Sequence, residues 1–222
     1  INIFDKFLNS DASDFIFLSS VKAVRDSYHK KLDESVSQKP STHYGISKLK
    51  AEQYILSKKL PKNKRVFVLR PCMIYGPGNK GNLNLLFNIV SKGIPWPLGN
   101  YTNKRSFCSV INLIYILDQL IISKEIPSGI YNIADDKPLS TNEIIKLIYE
   151  SQNKKPCILR IPKKIISFYA KIGDFIPIPL NSERLNKLTN QYIVCNRKIS
   201  SAIGKKLPED SKAGLLKVFK SF

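Results

Sequence analysis

The sequence predicts an α/β fold of the doubly wound type, built on a parallel sheet. Two short apolar runs, residues 14–18 (DFIFL) and 66–70 (VFVLR), lack the polar alternation of half-exposed strands and read as strands buried on both faces. Between them, residues 41–59 carry a helical pattern bracketed by Pro40 and Pro61. Strand, helix and strand in that order make a right-handed crossover unit.

Taken in order, the opening INIFDKFL reads as the inside of an amphipathic helix. Because the chain begins at Ile1 within such an element, with no charged and apolar leader pattern, it is expected to be a piece of a longer protein. The first strand opens into a loop at Ser19-Ser20. The helix after it takes Ser41 as N-cap and presents Leu49, Ala51, Tyr54, Ile55 and Leu56 as its apolar face. Pro71 ends the second strand. A helix follows over 82–92, then an extended Pro-rich segment IPWPLG, a helix over 112–124 and a strand over 130–134. Ser140-Thr141-Asn142-Glu143 forms a capping box for a helix to about residue 152. A strand over 157–161, helices over 163–173 and 182–190, and a strand over 192–195 complete the reading. No linker is visible, so two interleaved lobes are expected. Residues 1–80 form the first, and residues 81–222 form most of a smaller mixed α/β lobe, with an element near 105–135 returning to the first.

The composition is that of an ordinary globular chain: 222 residues, 43% hydrophobic and 24% charged. A net charge of +19 invites a nucleic-acid reading. The lysines, however, are scattered in ones and twos (Lys58-Lys59, Lys154-Lys155, Lys163-Lys164, Lys205-Lys206), with no accompanying nucleic-acid-binding motif, so no nucleic-acid partner is expected. A diphosphate-bearing substrate suits a positive field equally well. Cys72, Cys108, Cys157 and Cys195 are dispersed and both histidines lie early, so no metal site is expected and a reducing cytoplasm is. No apolar run reaches the length of a membrane span. Residues 163–180 are apolar with basic flanks, and the expectation there is a packed helix and loop rather than a membrane-surface element.

The chemistry is concentrated in Tyr44-Gly45-Ile46-Ser47-Lys48. On a helix, positions i and i+4 share a face, so the phenol and the ammonium point the same way. A phenol titrates near 10 in isolation, and a neighbouring cation favours its ionised form. Such a pair also arises by chance in any Lys-rich helix. Ser19-Ser20, at the end of a buried strand, gives it context, because ligands bind at strand ends in parallel α/β sheets.

The segments FIFLSSVKAV, HYGISKLKAEQ, VFVLRPCMIYGPGN and RSFCSVINL, in this order, resemble the extended short-chain dehydrogenase/reductase family, in its nucleotide-sugar epimerase/dehydratase branch. The resemblance implies a Rossmann-type sheet lacking its N-terminal half, with the glycine-rich dinucleotide turn lying upstream of Ile1. It implies Ser20, Tyr44 and Lys48 as catalytic residues, with Tyr44, Lys48, Pro71 and Cys72 beside an NAD cofactor, NADP being the alternative. It further implies Ser20, Asn82, Leu83, Trp96, Arg105 and Arg184 as substrate contacts, the two arginines on the diphosphate of a nucleotide sugar. Val24-Arg25-Asp26 departs from the branch's usual Val-Tyr-Gly, and Asn112 stands where an Asp is usual. Val21-Lys22 after Ser20, in place of Asp-Glu, argues against a dehydratase. The function expected is an NAD-dependent 4-epimerase of UDP-hexose or UDP-N-acetylhexosamine, working through a 4-keto sugar. The complete enzyme would be a homodimer, and the fragment would be inactive alone. The alternatives are an NAD(P)H-dependent 4-keto-sugar-nucleotide reductase of surface polysaccharide synthesis, and a non-catalytic sugar-nucleotide-binding or scaffold fragment.

Overall fold

Apolar runs without alternation need cover on both faces, and the chain supplies it from two directions. The computed structural model describes residues 2–79, 82–176 and 180–222. Helix α1 (Asn2–Leu8) leads to strand β1 (Asp14–Leu18), a 3-10 turn at Val21–Ala23, the short strand β2 (Lys31–Leu32), helix α2 (His43–Ser57) and strand β3 (Arg65–Pro71). Strand β4 (Met73–Tyr75), helix α3 (Asn82–Ser91), strands β5 (Lys104–Arg105) and β6 (Phe107–Ser109), helix α4 (Val110–Ile122) and strand β7 (Gly129–Ile133) come next. Then come β8 (Leu139–Ser140), α5 (Thr141–Ser151), α6 (Lys163–Ile172), α7 (Ser182–Thr189), β9 (Ile193–Val194), α8 (Arg197–Ile203) and α9 (Ser211–Lys220).

Among the described residues, β1, β3 and β7 form a parallel sheet with β3 in the centre. Val66 and Val68 of β3 face an apolar cluster with Phe4, Phe7 and Ile55, from α1 and α2. Phe67 and Leu69, one residue out of phase, face Ile116 and Leu120 of α4 and Tyr131 and Ile133 of β7. The period of two thus explains why all four residues are apolar. At the N-terminal end of the sheet, Arg65 bonds Asp14 Oδ1 (2.6 Å) and the α4 carbonyl of Leu120 (3.0 Å), fastening strand to helix. Burial would raise the Asp14 carboxyl, but the Arg65, Ser13 and Lys124 hydrogen bonds outweigh it and bring it to about 2.

The other main cluster joins α3, α5 and α9 through Leu86, Val90, Ile144, Ile148, Leu215 and Phe219. The capping box at Ser140 and Glu143 starts α5 as expected. Asn142, inside that box, fixes the 94–101 segment: its amide donates to the Gly99 and Tyr101 carbonyls, and its oxygen accepts the Trp96 indole N–H at 3.0 Å.

Several local expectations are corrected. The cap of α2 is Thr42 rather than Ser41: its hydroxyl accepts from Gly45 N–H while donating to Asp26. Of the expected apolar face of α2, Ile55 is buried and Tyr54 packs against the same cluster, but Leu56 is half exposed and the other buried positions are Gly45 and Glu52. Residues 157–161 make only isolated bridges, from Ile158 to Trp96 and from Arg160 to Leu98. Helices α8 and α9 have no counterpart in the sequence reading. Helix α9 carries Gly214 at its centre, a poor helix former. A Cβ there would lie 2.6 Å from the Tyr75 hydroxyl oxygen and 2.7 Å from Glu209 Oε2, so close packing requires the glycine.

That approach closes a buried polar node. Asp135 accepts from Tyr75 (3.0 Å), Ser109 N–H (2.9 Å) and the Asn112 amide (2.7 Å). Asn112 also donates to the Glu209 carbonyl and accepts from Glu209 N–H, both at 2.9 Å. Burial holds the Asp135 carboxyl above its ordinary value despite these donors. An amide at 112 can give and accept at once, which a carboxylate cannot. Asn112→Asp should therefore cost about 3 kcal/mol of stability, through lost donors and a second buried charge. Urea unfolding of the full protein at neutral pH, compared with Asn112→Ala, measures it.

Candidate functional site

Parallel register places the C-terminal ends of the three sheet strands on one edge, with Leu18 opposite Leu69 and Pro71 opposite Ile133. Ladder-like bonds continue past the strands: Ser19 N–H donates to the Leu69 carbonyl (2.7 Å) and Cys72 N–H to the Ile133 carbonyl (3.0 Å). Ser20, Cys72 and Ala134 therefore follow directly at this edge. Ser20 N-caps the 3-10 turn, its hydroxyl accepting from Lys22 N–H at 3.2 Å.

Helix α2 reaches the same edge through its first turn. Gly45 is buried against the 3-10 turn: a Cβ there would be 2.4 Å from the Lys22 carbonyl oxygen and 2.9 Å from Pro40 Cβ. Only glycine permits this approach, which sets Tyr44 beside the Ser20 turn. The Tyr44 side chain is 56% exposed, so its phenol is accessible at the sheet edge. Lys48, one turn on, lies with Nζ 5.9 Å from the Tyr44 ring centroid and 5.1 Å from that of Phe17. Its ammonium donates to the Leu18 carbonyl at 2.8 Å, tying the helix to the end of β1. Ser20, Tyr44 and Lys48 are thus brought to one place.

Two further groups hold them there, and the sequence reading missed both. The first is Glu52, one turn beyond Lys48. Its buried carboxylate takes Arg70 Nε (2.9 Å) and Nη2 (2.5 Å) of β3, and the Ser19 hydroxyl (2.5 Å) at the end of β1. The spacing Tyr44, Lys48, Glu52 was legible as one face, but a charge on the packed face of a helix is not what amphipathicity searches for. The second is Asp26, which accepts from the N–H and hydroxyl groups of both Ser41 and Thr42 at 2.7–3.0 Å. Burial would raise the Asp26 carboxyl, but these four bonds overcome it and hold it at about 2. They anchor the entry of α2.

The remaining expected residues divide. Arg105 lies on β5 with Nη1 donating to the Lys187 carbonyl of α7 (2.7 Å), and burial lowers its guanidinium from the ordinary value. Lys22 is lowered as well, first by burial, and Arg105 also lowers it, so two cations share one partly enclosed region. Arg184 is exposed on α7, whose Lys187 Arg105 engages. Asn82 opens α3, but its side chain lies outside the described residues. Leu83 and Trp96 are both 2% exposed and belong to the apolar core, with the indole N–H committed to Asn142. The Trp96 ring therefore does not line a ligand surface. Burial pushes the Cys72 thiol far above its usual value, so it is a packing group and not a nucleophile.

A profile of the NAD dependent epimerase/dehydratase family matches residues 1–134. The chain belongs to that family. It is 26% identical over 225 residues to the UDP-glucose 4-epimerase of Vibrio cholerae, across all of this chain and 67% of that protein. It is 28% identical over 165 residues to the N-acetyl-alpha-D-glucosaminyl-diphospho-ditrans,octacis-undecaprenol 4-epimerase of Escherichia coli O157:H7, across 72% of this chain and 49% of that protein. The chain thus spans two thirds of one curated relative and half of the other. In fold it matches the UDP-N-acetylglucosamine 4-epimerase of Bacillus cereus, with a TM-score of 0.72 and 19% identity over 98% of this chain and 68% of that one. The UDP-glucuronic acid 4-epimerase of Bacillus cereus, solved with NAD, gives a TM-score of 0.73 and 16% identity over 99% of this chain and 64% of that one. The family's α/β architecture is therefore shared, with part of its length outside this chain.

The geometry predicts two separable effects. Glu52→Ala would leave Arg70 buried without its carboxylate and should destabilise the full protein by about 3–5 kcal/mol in urea unfolding. Asp26→Asn should cost about 1–2 kcal/mol at neutral pH, by weakening the bonds into the helix start. Because the folded Asp26 sits at about 2 against an ordinary 3.8, its contribution is complete above that ordinary value and is lost as pH falls through about 2. The stability gap between Asp26→Asn and the parent should close over that window; a gap unchanged down to acid would contradict this role.

Proposed function

We propose that this chain is the catalytic and sugar-side part of an NAD-dependent nucleotide-sugar 4-epimerase, acting on UDP-hexose or UDP-N-acetylhexosamine through a 4-keto sugar. The observation that carries the reading is the junction at Gly45, where the Ser20 turn and the Tyr44 turn of α2 touch at the ligand edge of a parallel sheet. Both curated relatives described above are named 4-epimerases, which supports the same activity here.

The donor set fits the nicotinamide-ribose end of a dinucleotide. An ammonium at the strand end can bind ribose hydroxyls, an accessible phenol stands beside it, and the β3 end with Pro71 and Cys72 offers a close-packed backbone wall. NAD held there would supply the acceptor and then the donor for hydride at C4 of the sugar. The residues of this chain handle the proton and the position. Tyr44 takes the proton of the sugar 4-hydroxyl as the C4 carbonyl forms, and gives it back once the sugar has turned over. Ser20 hydrogen-bonds the same oxygen and fixes its distance from Tyr44. Lys48 supplies positive charge beside the phenol oxygen. Arg105, whose planar fork suits two phosphate oxygens, grips the diphosphate, with Lys22 adding charge from the 3-10 turn and Arg184 from α7. Asn82 would meet the sugar nucleotide at the start of α3, with Leu83 packed in the core behind it.

The test uses the full-length protein with UDP-galactose or UDP-N-acetylgalactosamine and no added nicotinamide, reading the C4 epimer by chromatography. Epimer formation is expected. Tyr44→Phe should lower turnover by about 10²–10⁴-fold with binding of the sugar nucleotide nearly intact, because one oxygen is lost and the ring remains. Arg105→Ala should act mainly on KM, raising it by about tenfold or more, since a diphosphate clamp binds ground and transition states alike. Absence of epimer, together with stoichiometric NADH or NADPH oxidation on a 4-keto sugar nucleotide, would replace the epimerase with a reductase using the same three groups.

A further inference from the structure

Helix α6 departs from the pattern of a packed surface helix. Its core contacts come from Ile166 and Ala170, four residues apart on one face. A second apolar stripe, Ile165, Phe168, Tyr169 and Ile172, follows the same i, i+3, i+4, i+7 spacing but faces solvent. Just beyond the helix, Phe175 is 91% exposed and Ile176 is exposed as well. Six large apolar side chains exposed within residues 165–176 exceed what a soluble surface carries by chance.

The charge around this ridge has one sign. Lys163 and Lys164 open α6, Lys171 lies in its last turn, and Arg160 stands just before it. Lys164 and Lys171, seven residues apart, lie on one flank of the exposed stripe, and the Ile166 and Ala170 face lies on the other. Between Arg160 and Ile176 the sequence holds a single acid, Asp174, and that carboxylate is engaged by Ser182. Aromatic and aliphatic side chains with lysines along one edge, on a helix lying flat against the body of the protein, have the composition of an interfacial membrane anchor. Lysine stems let the ammonium reach headgroups while the apolar ridge enters the acyl boundary. The same composition fits poorly with a second copy of a chain whose net charge is +19, since two such faces would bring like charges together.

We propose that the exposed face of α6, with Phe175 and Ile176, docks this protein onto an anionic lipid bilayer surface. The packed helix expected over 163–180 forms as α6, with Ile166 and Ala170 buried, and residues 177–179 lie outside the described residues; the proposal concerns its other, exposed face. Among the described residues no helix is long and apolar enough to cross a membrane. The proposed contact is independent of the catalytic reading, because none of its residues belongs to the Ser20, Tyr44 and Lys48 edge.

The experiment is co-sedimentation of the full-length protein with vesicles of phosphatidylglycerol and phosphatidylcholine, against vesicles of phosphatidylcholine alone. Binding is expected to the anionic vesicles, weakened by added salt. Phe168→Ser combined with Phe175→Ser should lower the partition coefficient by about tenfold or more, as the buried apolar area falls. Lys164→Glu with Lys171→Glu should abolish the preference for anionic lipid. A Phe168→Trp variant should blue-shift on adding anionic vesicles, a response the parent's buried Trp96 would not give. These variants lie on the surface and should keep the parent's thermal midpoint. Equal sedimentation of parent and both double variants would overturn the proposal. So would self-association, seen by light scattering without lipid, that the Phe168→Ser and Phe175→Ser pair removes.

Discussion

One buried carboxylate fixes the helix that carries Tyr44 and Lys48. Glu52 is fully enclosed, yet it joins three separate segments: its own helix, the Ser19 end of β1 and the Arg70 end of β3. An ion pair in such surroundings gains little net stability over an apolar contact, because both charges give up water. Its value lies in direction. A leucine at 52 could pack in several rotations of the helix, whereas a carboxylate receiving a two-pronged guanidinium and a hydroxyl admits one. With that rotation set, the preceding two turns carry Lys48 and Tyr44 toward the strand ends.

The helix start is held by different means. Asp26 gathers four donors from two consecutive residues, and Gly45 lets the helix meet the 3-10 turn without a side chain between them. Translation of α2 along its axis is thus stopped at one end by hydrogen bonds and steric contact, and rotation is stopped in the middle by the ion pair. Reactive groups on a rigid scaffold element need this kind of support to hold their relative positions. Farther along the chain, Arg105 of β5 is anchored to the Lys187 carbonyl of α7, so this guanidinium too is positioned by a contact outside its own strand.

The legible parts of the sequence were those where local chemistry agrees with the tertiary role. DFIFL and VFVLR are apolar because both sheet faces are covered, and their boundaries fell within a residue of β1 and β3. The Ser140 capping box is a local motif with a local cause, and it formed as read. Tyr44, Lys48 and Ser20 came from spacing and resemblance, and the fold brings them to one edge. What escaped were residues whose meaning exists only after folding. Glu52 resembled any solvent-facing acid until its helix was docked, and Asp26 lies in a loop whose partners are 15 residues away. Trp96 was implied by the resemblance as a substrate contact, whereas the fold buries its ring in the apolar core and commits its N–H to Asn142. Helix α9 was hidden by Gly214, required by a contact with Tyr75 that no local pattern encodes.

The pairing of β3 with both neighbours has a kinetic side. Arg65 meets Asp14 across 51 residues, and Val66 meets Ser128 across 62, so neither edge of the central strand can be assembled from nearby chain. High contact order of this kind slows the search for the native topology and leaves β3, an unbroken run of Val, Phe, Val and Leu, uncovered while the search lasts. During synthesis β3 must wait for β7 to emerge before its second edge is closed. The strand that forms the centre of the finished sheet is therefore open to aggregation while the chain is still folding.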